Sequence, residues 1–435
     1  MQAVRKGVKC GLTFFKDKIV WRDVAVLTVL VAVGFILRIL VAELMLGGLS
    51  RDYEGDESSY VNLATHVTQG FGFTDNSGRP TSYRAPGLPS LLAIPISLIG
   101  PSVVGIRIFM CFVESFLIPA FYLLLKSVTG SVKLAFVAAV IGMFFPTWII
   151  SSGAVMGDIP AATLVTLMVW MMIEACRRQS LLWIVGAGVL WGAATITRAG
   201  SLIYGPAIIL SSVLIMPGWK KRVGAVVCLT VPFVCILAPW SIRNAYVHGK
   251  FVPISTQAGI QLYISNNTDA TGILAIDQAR AEATAAQRYP ELQHLSEVAR
   301  NKLFQEEAVK FIRENPKRFA ELSLIRIVEF WKLYSPRVPL SNSLVVIVSF
   351  GVALPFFLLQ VLRRGWRRGP EMLLTLTILC HTGLHMVYGS IVRYRLPIEP
   401  LIIVMAISGF CWIWARLLYS YRNASTRLNF NATAG

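Results

Sequence analysis

Charge is scarce in this sequence. Only 15% of its 435 residues are Asp, Glu, Lys or Arg, against about 25% in a soluble domain. With 55% hydrophobic residues and a mean hydropathy of +0.61, that shortage argues against soluble globular, disordered and fibrous classes and leaves an integral membrane protein. Acids are scarcer than bases, 23 against 41, for a formal charge of +18. In a soluble protein such an excess would point to nucleic acid, but here the bases sit mostly between apolar runs and read as a topology signal. The seven cysteines (Cys10, Cys111, Cys176, Cys228, Cys235, Cys380, Cys411) are scattered with no CxxC pair, which speaks against a disulfide framework or a zinc site. No GxSxG, P-loop or GxGxxG motif is present, so nothing suggests a nucleotide-driven pump or a site for a cytosolic nucleotide sugar. A substrate arriving from the lipid fits that absence. No removable signal peptide is expected, because the apolar run that begins at Val24 is too long and lacks a cleavage site.

Apolar runs of bilayer length fall near 24–47, 102–125, 132–150, 156–175, 181–197, 200–216, 223–240, 343–362, 371–391 and 396–419, which predicts about ten spans. Lys126 and Lys133, Arg177 and Arg178, Lys220 to Arg222, and Arg363, Arg364, Arg367 and Arg368 all follow even-numbered runs. The basic N-terminus (Arg5, Lys6, Lys9, Lys16, Lys18, Arg22) and the tail (Arg416, Arg422, Arg427) fall on the same side, so both termini are expected in the cytoplasm. The expected fold is an all-α polytopic membrane protein with two large extracytoplasmic loops containing amphipathic helices. Its parts are a basic terminus at 1–23, a transmembrane region at 24–240 with the first loop at 48–101, a second loop at 241–342, C-terminal helices at 343–419 and a tail at 420–435. In the first loop, Tyr60, Leu63, Ala64 and Val67 share a helical face, and Pro86–Gly100 is apolar but too short to span. In the second, Phe304, Ala308, Phe311 and Ile312 mark a helix that Asn315-Pro316 ends.

Charges on the outer face need another reason, because topology does not ask for them there. Asp52, Glu54, Asp56 and Glu57 form an acidic knot beyond the first span. A carboxylate there could take a proton from an incoming hydroxyl, and Asp56 also suits the N-cap of the Tyr60 helix. Arg84, Arg198, Arg243, Arg393 and Arg395 converge on the same side from distant parts of the chain. Placed against the positive-inside bias, they suggest an anionic ligand, with a lipid phosphate foremost; the alternative for each is a snorkelling anchor. Asp158 ahead of Pro160 reads as a helix cap or as an acid that holds a sugar or a cation. Asn266 and Asn267, after Tyr263, suit sugar or phosphate hydrogen bonds and equally suit turn chemistry. His381 and His385, four apart, could bind a metal but lack the nearby Glu of a zincin and more commonly form a hydrogen-bonded pair.

Taken in order, these stretches resemble the GT-C superfamily of membrane glycosyltransferases, in particular the group of protein O-mannosyltransferases, aminoarabinose transferases and Rgt-type lipopolysaccharide sugar transferases. The resemblance runs through Gly55-Asp56-Glu57 with Tyr60, Tyr83-Arg84-Ala85-Pro86-Gly87, Thr197-Arg198, Pro239-Trp240-Ser241-Ile242-Arg243-Asn244, Asn266-Asn267, Asn315-Pro316 and Arg393-Tyr394-Arg395-Leu396-Pro397. It implies an inverting transfer of sugar from a polyprenyl-phosphate carrier to a lipid-linked glycan, lipopolysaccharide or protein on the extracytoplasmic face of a plasma (inner) membrane. Asp56 is the implied general base and Glu57 its orienting or sugar-binding neighbour. Arg84, Arg198, Arg243, Arg393 and Arg395 are implied phosphate ligands, and Tyr60, Tyr83, Asp158, Tyr263, Asn266 and Asn267 are candidates for the sugar or acceptor. No cofactor is assigned, although a divalent cation is compatible with the group. A lipid or sugar flippase would use the same arginines, and a ligase or polymerase acting on a diphosphate-linked oligosaccharide would share the topology. The spans are nearly free of charge, with Arg38 and Glu114 among the few exceptions, which favours chemistry at one face over passage through the bilayer.

Overall fold

A computed structural model describes residues 21–333, 340–367 and 369–433. The described chain is all-helical, 78% helix with no strand. Arg5, Lys6, Lys9, Lys16, Lys18 and Arg368, named above for topology, lie outside the described residues.

The first apolar run forms α1 (Trp21–Met45), and the first loop forms α2 (Asp56–Thr68) and α3 (Gly87–Ile99). The second run forms α4 (Val103–Ser115) and α5 (Leu117–Thr129), separated near Pro119, which has no N–H to continue the ladder. The third becomes α6 (Val132–Gly142) and the single turn α7 (Pro146–Ile149). Then come α8 (Asp158–Arg178), α9 (Leu181–Thr197), a 3₁₀ turn at Ala199–Tyr204, α10 (Gly205–Ile215) and α11 (Trp219–His248). The second loop folds into α12 (Ala258–Ser265), α13 (Leu274–Arg288), α14 (Glu297–Glu314) and α15 (Pro316–Trp331). The chain ends in α16 (Leu340–Arg364), α17 (Pro370–Val387), a 3₁₀ turn at Val392–Ile398 and α18 (Glu399–Thr433).

Six helices are long and apolar enough to cross a membrane: Asp23–Leu44, Val103–Thr129, Asp158–Arg178, Trp219–His248, Ile347–Arg364 and Val392–Tyr421. The predicted count of about ten is not reached by length alone. The runs at 132–150, 181–197 and 200–216 give shorter apolar helices. At about 1.5 Å per residue, α6 covers roughly 17 Å, little over half the hydrocarbon thickness. Large apolar side chains face outward along α1 (Val29, Val33, Ile36, Leu40), α11 (Val223, Val227, Val231, Val234) and α16 (Val348, Val352, Leu358, Leu362), a pattern that suits lipid contact.

The main core runs through α5, α8, α9, α17 and α18, with Trp148, Tyr122, Phe121, Met168, Tyr204 and Met405 buried together. Two charges within the spans, Arg38 and Glu114, meet inside the helical bundle. Arg38 pairs with Glu114 at 3.4 Å and also donates to the Trp148 carbonyl at 2.8 Å, while Glu114 accepts the Gly153 N–H at 3.1 Å. Each charge is thereby paired and hydrogen-bonded, the condition under which burial of an ion pair is tolerated. The second loop has its own small core of Leu262, Tyr263, Leu274, Phe304 and Ala308, packed against Val387, Tyr388, Ile391 and Tyr394. It therefore rests on the segment that carries Arg393.

The amphipathic faces expected in both loops form as helices α2 and α14. Two capping expectations do not hold. The N-cap of α2 is Gly55, at φ 54°, with no side-chain cap; Asp56 is the first helical residue. Likewise Gly157 caps α8, and Asp158 lies just inside it.

Candidate active site

The site is built around the C-terminal end of α9. A Cβ on Gly87 would lie 2.7 Å from the Ile196 carbonyl oxygen and 2.8 Å from Thr197 Cα, and one on Gly157 would lie 3.1 Å from the Thr197 carbonyl oxygen. Both glycines let backbone meet backbone. The first-loop turn at 83–87 and the start of α8 are thus pressed against the Thr197-Arg198 corner, and three acidic or basic segments come to one place.

On the first-loop side, Asp56 pairs with Arg84, and the Asp56 side chain remains 44% exposed. The Arg84 guanidinium also lies 5.0 Å from the Tyr60 ring and 5.2 Å from the Tyr83 ring. Burial works against its positive charge, but Tyr60 and Asp56 outweigh burial and raise its pKa. The adjacent acid behaves differently. Glu57 is buried and accepts from Arg107 at 3.1 and 2.9 Å and from the Val155 N–H at 2.9 Å. Burial pushes its carboxyl up, yet the Arg107 and Val155 hydrogen bonds hold it below its ordinary value. Arg107, fully buried, also donates to the carbonyls of Arg51, Asp52 and Gly153. It ties the acidic knot to α4 and to the turn before α8.

On the other side of the α9 corner, Asp158 pairs with Arg198 and stands 3.5 Å from Arg393. Both guanidinium groups lie over the Tyr394 ring, at 5.0 and 5.8 Å. The Arg393 side chain is 42% exposed. The two halves meet through the backbone contacts of Gly87 and Gly157 with Thr197, and Arg84 stacks on Tyr60 on the first-loop side. Asp56, Arg84, Tyr60, Tyr83, Asp158, Arg198 and Arg393 thus form one neighbourhood with open guanidinium and carboxylate edges.

Other residues singled out in the sequence have internal duties. Arg243 donates to the carbonyls of Thr81 and Phe73, both at 2.8 Å, and to Ser82 Oγ; it clamps the first loop to α11. Arg395 is buried, paired with Glu399 at 3.0 Å, and donates to the carbonyls of Phe330 and Lys332. Its guanidinium is enclosed beside Phe350, which removes it from a surface phosphate site. Asn266 and Asn267 are buried, and their amides donate to the Leu262 and Tyr263 carbonyls four residues back. They close the C-terminus of α12, so the turn reading describes their contacts. Tyr263 lies in the second-loop core. His381 and His385 are buried and hydrogen-bonded within the bundle. Among the described residues, no three His, Cys, Asp or Glu groups gather to hold a metal ion.

Three organising residues escaped the sequence reading. Arg107 lies inside an apolar run, and its placement opposite an acidic knot was its only signal. Arg326 donates to the carbonyls of Met386 and Val387 and to Asn266 Oδ1, capping the end of α17. Glu297 accepts from Thr81 Oγ1 at 2.6 Å and Ser82 N at 3.0 Å, and so joins the second loop to the segment that leads to Arg84.

Residues 83–242 match the sequence profile of the dolichyl-phosphate-mannose-protein mannosyltransferase family; the matched stretch holds Arg84, Asp158 and Arg198. Over that stretch the chain is similar to a family of the GT-C class that its motifs resemble. The fold is similar to that of the Archaeoglobus fulgidus oligosaccharyltransferase in its apo form: TM-score 0.57, 16% identity, 94% of this chain and 52% of the other. The archaeal oligosaccharyltransferase AglB from Archaeoglobus fulgidus, in complex with an inhibitory peptide and a dolichol-phosphate, gives a TM-score of 0.56 at 16% identity over 93% of this chain and 52% of that one. The chain spans about half the length of these structures. ArnT from Cupriavidus metallidurans bound to undecaprenyl phosphate gives 0.44 at 12% identity over 88% of this chain and 77% of that one. No curated protein matches the chain in sequence.

Proposed function

We propose that the protein transfers a sugar from a polyprenyl-phosphate carrier to an envelope acceptor, with inversion, on the extracytoplasmic face of a plasma (inner) membrane. The observation that carries the reading is an exposed acid held close to a pair of arginines that share one acid. Asp56, 44% exposed on Arg84, is brought toward Arg198 and Arg393 because Gly87 and Gly157 both abut the Thr197-Arg198 corner. Asp56 accepts the proton of the acceptor hydroxyl. The freed oxygen attacks the anomeric carbon, and the bond from that carbon to the phosphate oxygen breaks with its electron pair on the oxygen. Arg198 and Arg393, with Arg84 beside them, stabilise the polyprenyl phosphate that leaves, where fixed cations are worth most. Glu57 takes no part in proton transfer; it anchors Asp56 through Arg107. Asp158 orients the two arginines, and Tyr60 and Tyr83 offer ring surface for the sugar.

The dolichol-phosphate held by the archaeal neighbour supports a lipid phosphate as the anion. A flippase would need a polar route through the bilayer, whereas the interior charges Arg38 and Glu114 are closed on each other. The positive-inside bias of the loop charges supports cytoplasmic termini, and on that orientation the helix ends that gather Asp158, Arg198 and Arg393 are extracytoplasmic. The test is release of polyprenyl phosphate from a panel of polyprenyl-phosphate sugars, given cell-envelope acceptor extract. Donor-dependent release by the wild type and its loss in Asp56→Asn are expected. Equal release by both proteins would refute the role of Asp56, and no release from any donor would refute the transferase.

A further inference from the structure

The two arginines assigned to the phosphate are carried by different segments, and one buried side chain joins those segments. Arg198 opens the turn that ends at Tyr204; Arg393 precedes Tyr394 in the turn before α18. His381, on α17, lies between them. Its Nε2 is 2.8 Å from the Tyr394 carbonyl oxygen, and its Nδ1 is 2.9 Å from the Tyr204 hydroxyl. A carbonyl only accepts, so Nε2 carries the proton. Nδ1 of the neutral ring then accepts from the Tyr204 O–H. Tyr204 is wholly buried and His381 is 2% exposed, so neither bond competes with solvent. The Trp191 indole N–H further fixes this turn by donating to the Ser201 carbonyl at 3.1 Å. On the other side, the Tyr394 ring lies under both guanidinium groups, and any shift of its backbone moves the surface on which they rest.

We propose that His381 is a positioning residue for phosphate recognition: by bridging Tyr204 and Tyr394 it sets the spacing between Arg198 and Arg393. This rests on the reading of those arginines as phosphate ligands. A neutral imidazole with one donor and one acceptor edge serves this bridge because the two partners differ in kind. An aliphatic residue would make neither bond, and Gln would retain an N–H for the Tyr394 carbonyl. Two arginines on separate segments grip one anion well only when their separation is held to a fraction of an ångström.

The experiment measures binding of undecaprenyl phosphate, and separately of dolichyl phosphate, to the purified full chain in detergent, normalised to folded protein by a thermal melt. The variants are His381→Leu, His381→Gln, Tyr204→Phe, Arg198→Gln and Arg393→Gln. Expected is a loss of about tenfold or more for His381→Leu, recovery to within about threefold in His381→Gln, and an intermediate loss for Tyr204→Phe. The arginine variants should lose at least as much. Wild-type affinity in folded His381→Leu, with weakened binding in the arginine variants, overturns the positioning role alone. Unchanged affinity in Arg198→Gln and Arg393→Gln overturns the phosphate site and this inference with it. Equal losses in His381→Leu and His381→Gln also count against it, because the retained N–H should matter. Should His381→Leu fail to fold, the comparison of His381→Gln with Tyr204→Phe decides: the positioning role requires the second to bind more weakly than the first.

Discussion

Asp56 and Glu57 are adjacent acids whose surroundings assign them opposite roles, and substituting each in turn separates chemistry from structure. The Asp56 side chain is 44% exposed and that of its partner Arg84 is 10% exposed, so the pair is partly screened by solvent and its loss costs less than that of a fully buried pair. Asp56→Asn keeps the shape and the α2 start, so its melting curve should lie closer to that of the wild type than does the curve of Glu57→Gln. Turnover should nevertheless fall by about a hundredfold to ten-thousandfold, the usual contribution of a positioned general base. Glu57 has a 9% exposed side chain and pairs with an Arg107 that is wholly buried. Glu57→Gln leaves that guanidinium without its counter-charge, and breaking a buried pair on one side costs roughly 3–5 kcal/mol. The midpoint of its melting curve, followed by tryptophan fluorescence in detergent, should drop well below the wild type. Activity should fall in step with the folded fraction. The double variant Glu57→Gln with Arg107→Met should be less destabilised than the sum of the two single changes, since neither partner is then left as a lone charge. The reasoning fails if Glu57→Gln melts like the wild type and is inactive while Asp56→Asn still turns over, for then the exposed acid is structural and the buried one chemical.

Further outcomes follow from the same geometry. The Glu57 carboxyl lies below its ordinary value of 4.5, so the folded state binds its proton less readily than the unfolded chain does. Its stabilising contribution is therefore present above pH 4.5 and is lost as the pH falls through the lower folded value; melts in detergent across that acid range should show it, and the slope should shrink in Glu57→Gln. Gly87→Ala puts a Cβ 2.7 Å from the Ile196 carbonyl oxygen, an overpacking worth about 1–3 kcal/mol; a displaced Arg84 should then appear as lower turnover of the folded fraction. Arg243→Gln removes donors from the Phe73 and Thr81 carbonyls, so limited proteolysis should cut the 69–84 segment faster than in the wild type. Raised salt should weaken polyprenyl-phosphate binding where the grip is partly exposed, as at Arg393.

Much of the helical framework was legible because apolar period and apolar length are local properties. The faces of α2 and α14 and the break at Asn315-Pro316 needed no partner to be read. The count of spans was less legible, since α6 is cut short at Phe145-Pro146 and α17 carries Glu371, His381 and His385 among its apolar residues. In the site, charge against the topology rule was the only mark available, and it marks an arginine without saying where its N–H groups point. Arg393 and Arg395 look alike in the sequence, two residues apart. The distinction was present in one local cue, the four-residue spacing from Arg395 to Glu399, which places both on one helical face. The link from Glu57 to Arg107 spans fifty positions and exists only once α2 has docked on α4.

Desolvation explains why the arginines divide as they do. A guanidinium carries five N–H donors in a planar fork, and burying it without acceptors is costly. Arg107, Arg326 and Arg395 are fully buried, and each reaches backbone carbonyls near a helix end or turn. Their charge joins segments, and little of the fork remains for an outside anion. Arg198 and Arg393 share a single buried acid, Asp158, so two positive charges face one negative charge with part of each fork open. That local excess of one positive charge is what a leaving phosphate would neutralise. Asp158→Asn should therefore have two opposed effects. It removes the attraction that holds the arginines, which loosens them, and it raises the net positive charge, which strengthens the pull on phosphate. If Asp158 serves chiefly to orient, polyprenyl-phosphate affinity falls despite the added charge; if it serves chiefly to neutralise, affinity rises. The orienting reading is the one supported here, because Asp158 is buried and touches both guanidinium groups, and tighter binding by the Asn variant would refute it.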